Sequence, residues 1–273
     1  MPQNKRNPDV VLPPRPSILV NIQQEMVKTH ADLHKIAELI ASDLVLAAEI
    51  LKTVNSPFYG LRNKLTSTVD AVKMLGFTRT SQLVAAISVR QSVPLPEDLN
   101  NFWDDMMRLA IMQASITKYL HLNADMAYLM GLFHDCAVPL MVTKFPDYLK
   151  VRKGFSDMSM SIIEAETEQY TMNHAQLGSL FARAWYLPDP LIQAIRFHHH
   201  DSSIFCSNLG HDTLTLIAVH LIVDNIHDTL VGNVPIDYPP MKSKIMKFMD
   251  LDDDQYQRLT DIALDSINGE NFI

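Results

Sequence analysis

With 273 residues, 47% apolar and 20% charged, the chain is too apolar for disorder and long enough for one large core or two smaller ones. Acidic residues outnumber basic ones, 31 to 23, and a formal charge of −8 speaks against nucleic acid, whose phosphates are held by surplus Lys and Arg. Only 8 glycines leave Gly-rich phosphate cradles and turn-dense β architectures poorly supplied.

The opening, Met1 to Arg6, is polar and no apolar run follows it, so no secretory leader is expected. No window reaches the ~18 uninterrupted apolar residues of a membrane span. Cys136 and Cys206 form neither a disulfide framework nor a Cys-x-x-Cys clip. The expected setting is a reducing cytoplasm, without a membrane partner.

Apolar spacing is helical nearly throughout. After a lead punctuated by Pro8, Pro13, Pro14 and Pro16, a first helical face carries Ile18, Leu19, Ile22 and Met26. Asp32 caps a segment with Ile36, Leu39 and Ile40, and Asp43 caps another with Leu46, Ala47, Ile50, Leu51 and Val54 on one face. Asn55-Ser56-Pro57 stops it, because proline restricts the residue before it and cannot continue the ladder. Ser67-Thr68-Val69-Asp70 resembles a capping box, with Asp in place of Glu, opening a helix through Val72 and Leu75 that Gly76 closes. A further helix covers roughly 80–91. The run from Pro94 to Asn100 breaks the pattern and sets the expected boundary between a module at 1–95 and a domain at 96–273. Helical stretches are predicted beyond it near 101–121, 124–141, 160–186 (broken near Met172-Asn173), 188–200, 213–229, 239–249 and 252–268. Segment 201–212 is the main irregular insert. No alternating strand pattern or repeat is visible, and the predicted class is all-α.

The eleven histidines are unevenly placed: His174, His198, His199, His200, His211, His220 and His227 fall between residues 174 and 227, where even scatter would put about two. Upstream, His134-Asp135 ends the apolar run from Tyr128 to Phe133. Downstream, Asp224 interrupts another apolar run, and an unpaired buried carboxylate costs several kcal/mol. Imidazoles and carboxylates together are the ligand set of Zn, Mn or Fe, and a metal with an open position can activate water. Plainer readings stand beside this one. His198 to His200 could cap a helix C-terminus; His220, Asp224 and His227 could form a solvated stripe; His134 could be a hydrogen-bonded core residue. Adjacent His134 and Asp135 point about 100° apart on a regular helix, so they meet one metal only at a helix end or if the Asp side chain swings back.

Several segments carry a family likeness. They are Leu12-Pro13-Pro14-Arg15-Pro16, Ile40-Ala41-Ser42-Asp43-Leu44, Leu51 to Gly60 around Asn55-Ser56-Pro57-Phe58-Tyr59, and Thr68 to Gly76. Further on come Gly131-Leu132-Phe133-His134-Asp135, His174-Ala175-Gln176-Leu177-Gly178, Trp185-Tyr186-Leu187-Pro188 and Ala194 to His199. In that order, over about residues 12–230, the chain resembles the HDOD domain, the HD-related output domain of bacterial signalling proteins. The resemblance implies an N-terminal helical module packed on an HD-like helical domain.

HDOD domains are similar to metal-dependent HD phosphohydrolases, whose ligand order is His, His-Asp, His, His and Asp. Carried over, the resemblance implies His134 and Asp135 as the dyad, His174 and His198 or His199 as the later histidines, and Asp224 as the closing ligand. Asp105, in the helix after Trp103, stands where the first histidine is expected. The implied cofactor is a divalent metal (Fe, Mn, Zn or Mg), as one or two ions. Cys136-Ala137 follows the dyad where catalytic relatives carry a glycine-bearing turn, and the absence of a Gly-Tyr-Pro motif argues against a cyclic-di-GMP phosphodiesterase. The family is described as acting through protein contacts after losing catalysis. The leading expectation is therefore a signalling module that binds a protein partner or a ligand, with a degenerate metal site. The alternative is an active phosphohydrolase acting on a phosphorylated small molecule or nucleotide.

Three lesser features have plain readings. Cys136 is a buried thiol rather than a nucleophile, and the methionines are core filler. Asp250 to Asp254 reads as a helix N-cap and first turn rather than a calcium loop.

Overall fold

Three side-chain caps start helices in the first part of the chain. In the computed structural model, which describes residues 12–56, 59–154, 161–232 and 238–268, Asp32 accepts from the backbone N–H of His34, Asp43 from those of Val45 and Leu46, and Ser67 from those of Val69 and Asp70. They open α2 (Leu33–Ala41), α3 (Leu44–Val54) and α4 (Thr68–Ser92), after α1 (Ser17–Met26). Gly76, with φ of 72°, a conformation that favours glycine, is non-helical and divides α4 into two helices joined at a kink, the pair that the sequence predicts. The described residues divide into two compact units, and Pro13–Val93 forms most of one of them. Its core is Leu19, Ile22, Ile36, Ile40, Leu46, Ile50, Val54 and Val72, all buried. Asn55 ends α3 and pins the following loop, its side chain both donating to Leu65 O and accepting from Leu65 N at 2.8 and 2.7 Å. Pro8, Pro57, Phe58 and the first residue of the 160–186 stretch lie outside the described residues.

The other unit covers Pro94–Asp265 and takes in Leu12. It contains α5 (Phe102–Tyr119), α6 (Ala124–Phe133), α7 (Val138–Lys144), α8 (Tyr148–Gly154), α9 (Ile162–Tyr170), α10 (His174–Ala184), α11 (Asp189–Phe197), α12 (His211–Leu230), α13 (Tyr238–Met249) and most of α14 (Asp253–Asn268). Among the described residues there is no strand. The protein is all-α.

Close packing fixes where the dyad lies. A Cβ on Gly131 would stand 2.4 Å from the Ala110 Cα, so only glycine lets α6 lie this near α5. The predicted stretch 124–141 is not one helix: a turn over 134–137 separates α6 from α7. Ala124–Lys144 is long and apolar enough by composition to cross a membrane, but most of it is buried inside the protein. The break expected near Met172-Asn173 falls at Thr171, with φ of 62°, and Asn173 and Gln176 form a capping box that opens α10. The 201–212 insert folds in part as a 3-10 turn, Ser202–Cys206, and α12 begins at His211. Asp252 exchanges hydrogen bonds with Gln255 at the start of α14, the N-cap expected of that acidic run. The short α8 was not foreseen. Ala137, Val138, Met141, Phe145, Tyr148, Tyr170 and Leu177 form a buried cluster that ties α8 and α9 to the dyad turn.

Candidate metal centre

At the dyad turn the backbone leaves helical register, and the Asp135 side chain reaches into the space between α10 and the end of α11. Its Oδ1 lies 3.0 Å from His174 Nε2 and 3.6 Å from His198 Nε2. Ligand atoms of Asp135, His174, His198 and His199 all fall within 4.8 Å of one another. Asp135 Oδ1 and the Nε2 atoms of the three histidines are buried and make no aligned hydrogen bond, Asp135 and His174 meeting only as an ion pair. Each such orphan costs roughly 1–3 kcal/mol, and four at one point is the signature of a missing common partner. A divalent cation fits it.

The second nitrogen of each ring explains the orientation. His198 Nδ1 donates to the Ile195 carbonyl at 2.7 Å, which leaves its Nε2 lone pair facing the cluster. His174 Nδ1 lies 2.7 Å from Glu166 Oε2, and Glu166 also accepts from the His174 backbone N–H at 2.8 Å and the Tyr148 hydroxyl at 2.5 Å. This is the carboxylate–histidine arrangement that orients metal ligands. Gly178 allows the approach of α10: a Cβ there would meet Ile195 Cγ2 at 3.2 Å and the His134 carbonyl at 3.6 Å.

Charge is balanced around the cluster. Burial opposes ionisation of Asp135, but Arg152, bonded to its Oδ2 at 2.6 Å, and then His174 hold its carboxyl well below the usual range. Burial likewise opposes a charged His174, and Asp135 and Glu166 outweigh it, raising its pKa. His199, partly buried, and buried His198 are pushed down, mainly by desolvation and by neighbouring imidazoles. A neutral imidazole is the form that binds metal.

The sequence model of the HDOD domain family matches residues 12–201. The chain belongs to the HDOD domain family. Its fold is similar to that of a protein provisionally named a phosphohydrolase from Shewanella amazonensis SB2B. The TM-score is 0.71 at 21% identity, over 94% of this chain and 91% of that one. An HDOD domain protein of unknown function from Geobacter sulfurreducens matches with TM-score 0.68 at 20% identity, over 95% and 91% of the two chains. A curated uncharacterized protein of Treponema pallidum (strain Nichols) is 26% identical over 263 residues, which are 93% of this chain. The chain spans about half the length of that relative, 49%.

Not every ligand expected of an HDOD or HD site joins the group. His134 Nδ1 donates to the Gly131 carbonyl at 3.0 Å, and its Nε2 stands 4.0 Å from Asp135 Oδ2, on the side away from His174. Burial lowers its pKa to about 4. Asp105 pairs with Arg108 at 3.2 Å and lies 3.9 Å from His227 Nε2; it is not in the four-residue cluster. Asp224 is outside the cluster too, and burial, then Asp228 and Asp135, push its carboxyl up to about 7. The His134 ring packs against His220, with centroids 4.4 Å apart, and against His198 at 5.4 Å, and Gln113 Nε2 donates to His220 Nδ1 at 3.0 Å. Cys136 is fully buried and its thiol is pushed up by burial and by Asp135, as befits a packing residue.

Sequence reasoning missed Glu166, Arg152, Tyr148 and Gln113. For Glu166 a signal exists. It follows Ile162 by four residues and precedes Tyr170 by four, which puts a carboxylate on the buried face of α9. Arg152 sits on the short α8, whose spacing carries no comparable mark.

Proposed function

We propose that this HDOD chain is a signalling module that holds one divalent metal between Asp135, His174, His198 and His199 and acts by binding a partner protein. The convergence of four orphaned, buried donors carries this reading. Four protein donors are the number that closes a structural site, whereas catalytic sites keep one position for water. An ion there would supply rigidity to the dyad turn, α10 and α11, which otherwise meet through unsatisfied polar atoms. Binding energy of this kind becomes folding energy.

A second reading, a phosphohydrolase acting on a phosphorylated small molecule or nucleotide, draws on one observation. His199 is the member of the four that is not fully buried. With His199 turned aside, three donors remain, and an ion so held would supply Lewis acidity and an activated water. Arg152, 29% exposed beside Asp135, is then the group suited to a phosphate oxygen.

The test is elemental analysis of the purified full chain, with a phosphodiesterase and nucleotidase screen in Mn, Fe, Zn and Mg. Stoichiometric metal without turnover is expected, and His174→Ala should lower metal affinity at least 100-fold. Turnover that His174→Ala abolishes would favour the hydrolase, and protein that takes up no metal under any condition would defeat both.

A further inference from the structure

The two carboxylate oxygens of Asp135 have different neighbours. Oδ1 faces His174 and His198 and makes no aligned hydrogen bond. Oδ2 is bonded to Arg152 Nη2 at 2.6 Å, with His134 Nε2 4.0 Å away. A carboxylate that bridges two metal ions through both of its oxygens needs both free, and here one is taken by a fixed cation.

Arg152 is held there by more than Asp135. Its Nη1 lies 3.4 Å from the Tyr148 hydroxyl one helical turn earlier, and that hydroxyl donates to Glu166, which anchors His174. Asp135, Arg152, Tyr148, Glu166 and His174 thus close a ring of polar contacts, with His174 Nε2 and Asp135 Oδ1 as the one unaligned junction. Because guanidinium remains charged at any working pH, its charge stays in the pocket whether or not an ion is bound.

We propose that Arg152 is the resident counter-cation of the pocket: it occupies Asp135 Oδ2, confines the site to a single divalent ion on the Oδ1 side, and competes electrostatically with that ion. The inference rests on the metal-binding reading of the same site. It makes Arg152 a positioning residue whose removal has effects of opposite sign. Without metal, Asp135 becomes a buried charge that has lost its strongest partner and keeps only His174, which destabilises the fold. With metal, a repelling charge is gone and the ion binds more tightly.

A merely structural arginine would weaken both states. The experiment titrates chelator-treated full chain with Zn²⁺ by calorimetry, with elemental analysis for stoichiometry and thermal melts of the metal-free form. Wild type should take one equivalent. Arg152→Met should melt lower when metal-free yet bind Zn²⁺ at least tenfold more tightly, and Arg152→Lys, which keeps the charge, should stay within about threefold of wild type. Two equivalents in wild type, unchanged or weaker binding by Arg152→Met, or methionine-like tightening in Arg152→Lys would each overturn the proposal. If Arg152→Met does not fold without metal, recovery on adding Zn²⁺ supports the proposal and failure to recover overturns it. Wild type that binds no Zn²⁺ at all would instead remove the metal site itself, a result distinct from those above.

Discussion

Two groups of ionisable residues lie in the same helical unit, and they meet the cost of burial in opposite ways. Around Asp135, charge is retained: Arg152 and His174 hold the carboxylate ionised, Glu166 and Tyr148 fix the imidazole, and four donors converge. Around Asp224, charge is given up: burial and the nearby Asp228 raise its carboxyl to about 7, and its neighbour His227 faces Asp105 at 3.9 Å. A ligand-ready site is therefore marked less by the number of buried acids and histidines than by whether a supporting shell keeps them charged and aimed.

The largest expected effect comes from the second group. Asp224 has a folded pKa near 7 against about 3.9 for an unfolded aspartate, so between those values the folded state holds a proton that the unfolded state has lost. Stability of wild type should thus fall as pH rises from about 4 to about 7, by at most about 4 kcal/mol from this group. Asp224→Asn has no such proton to lose. Its advantage over wild type should be near zero at pH 4 and greatest above pH 7, as read by urea unfolding of chelator-treated protein. An advantage that does not change with pH would place Asp224 among ordinary surface acids.

The next effect probes the first group. Glu166→Gln keeps the shape of the side chain but removes the charge that orients His174, and outer-shell changes of this kind typically cost 10–100-fold in metal affinity. The same substitution should lower the pKa of His174 in metal-free protein, because Glu166 is one of the two anions that raise it. Imidazole titration by NMR, beside Zn²⁺ calorimetry, checks both. Unchanged affinity with a lowered His174 pKa would separate orientation from charge.

What could be read from the residues alone follows the same divide. The helices were legible because their signals are local: Asp32, Asp43 and Ser67 cap, Gly76 kinks, and apolar residues recur at three and four. The turn at 134–137 was hidden because the residues on both sides stay apolar. Leu129, Met130 and Phe133 are buried in α6, and Val138 and Met141 in α7, so periodicity runs through the break. His134, Asp135, His174, His198 and His199 could be singled out by type and order. Glu166 could be marked only as a carboxylate on the buried face of α9, and Arg152 not at all, because their role is defined by a closed ring of contacts across the turn, α8, α9 and α10. No spacing within one helix encodes such a ring.

The smallest expected effect is also the sharpest test of the comparison. Family order makes Asp105 the stand-in for a missing histidine, so Asp105→His would be expected to restore a ligand and tighten metal binding. The structure gives the opposite expectation. Asp105 is about one-third exposed, bonds to Arg108 three residues on, and faces His227 rather than the Asp135 donors. Replacing it removes an exposed ion pair worth about 0–1 kcal/mol and adds no donor to the pocket. Zn²⁺ affinity should then stay within about threefold of wild type, since additivity holds for sites that share no partners. An increase of tenfold or more would mean that α5 can bring residue 105 to the metal, and that the two groups form one site.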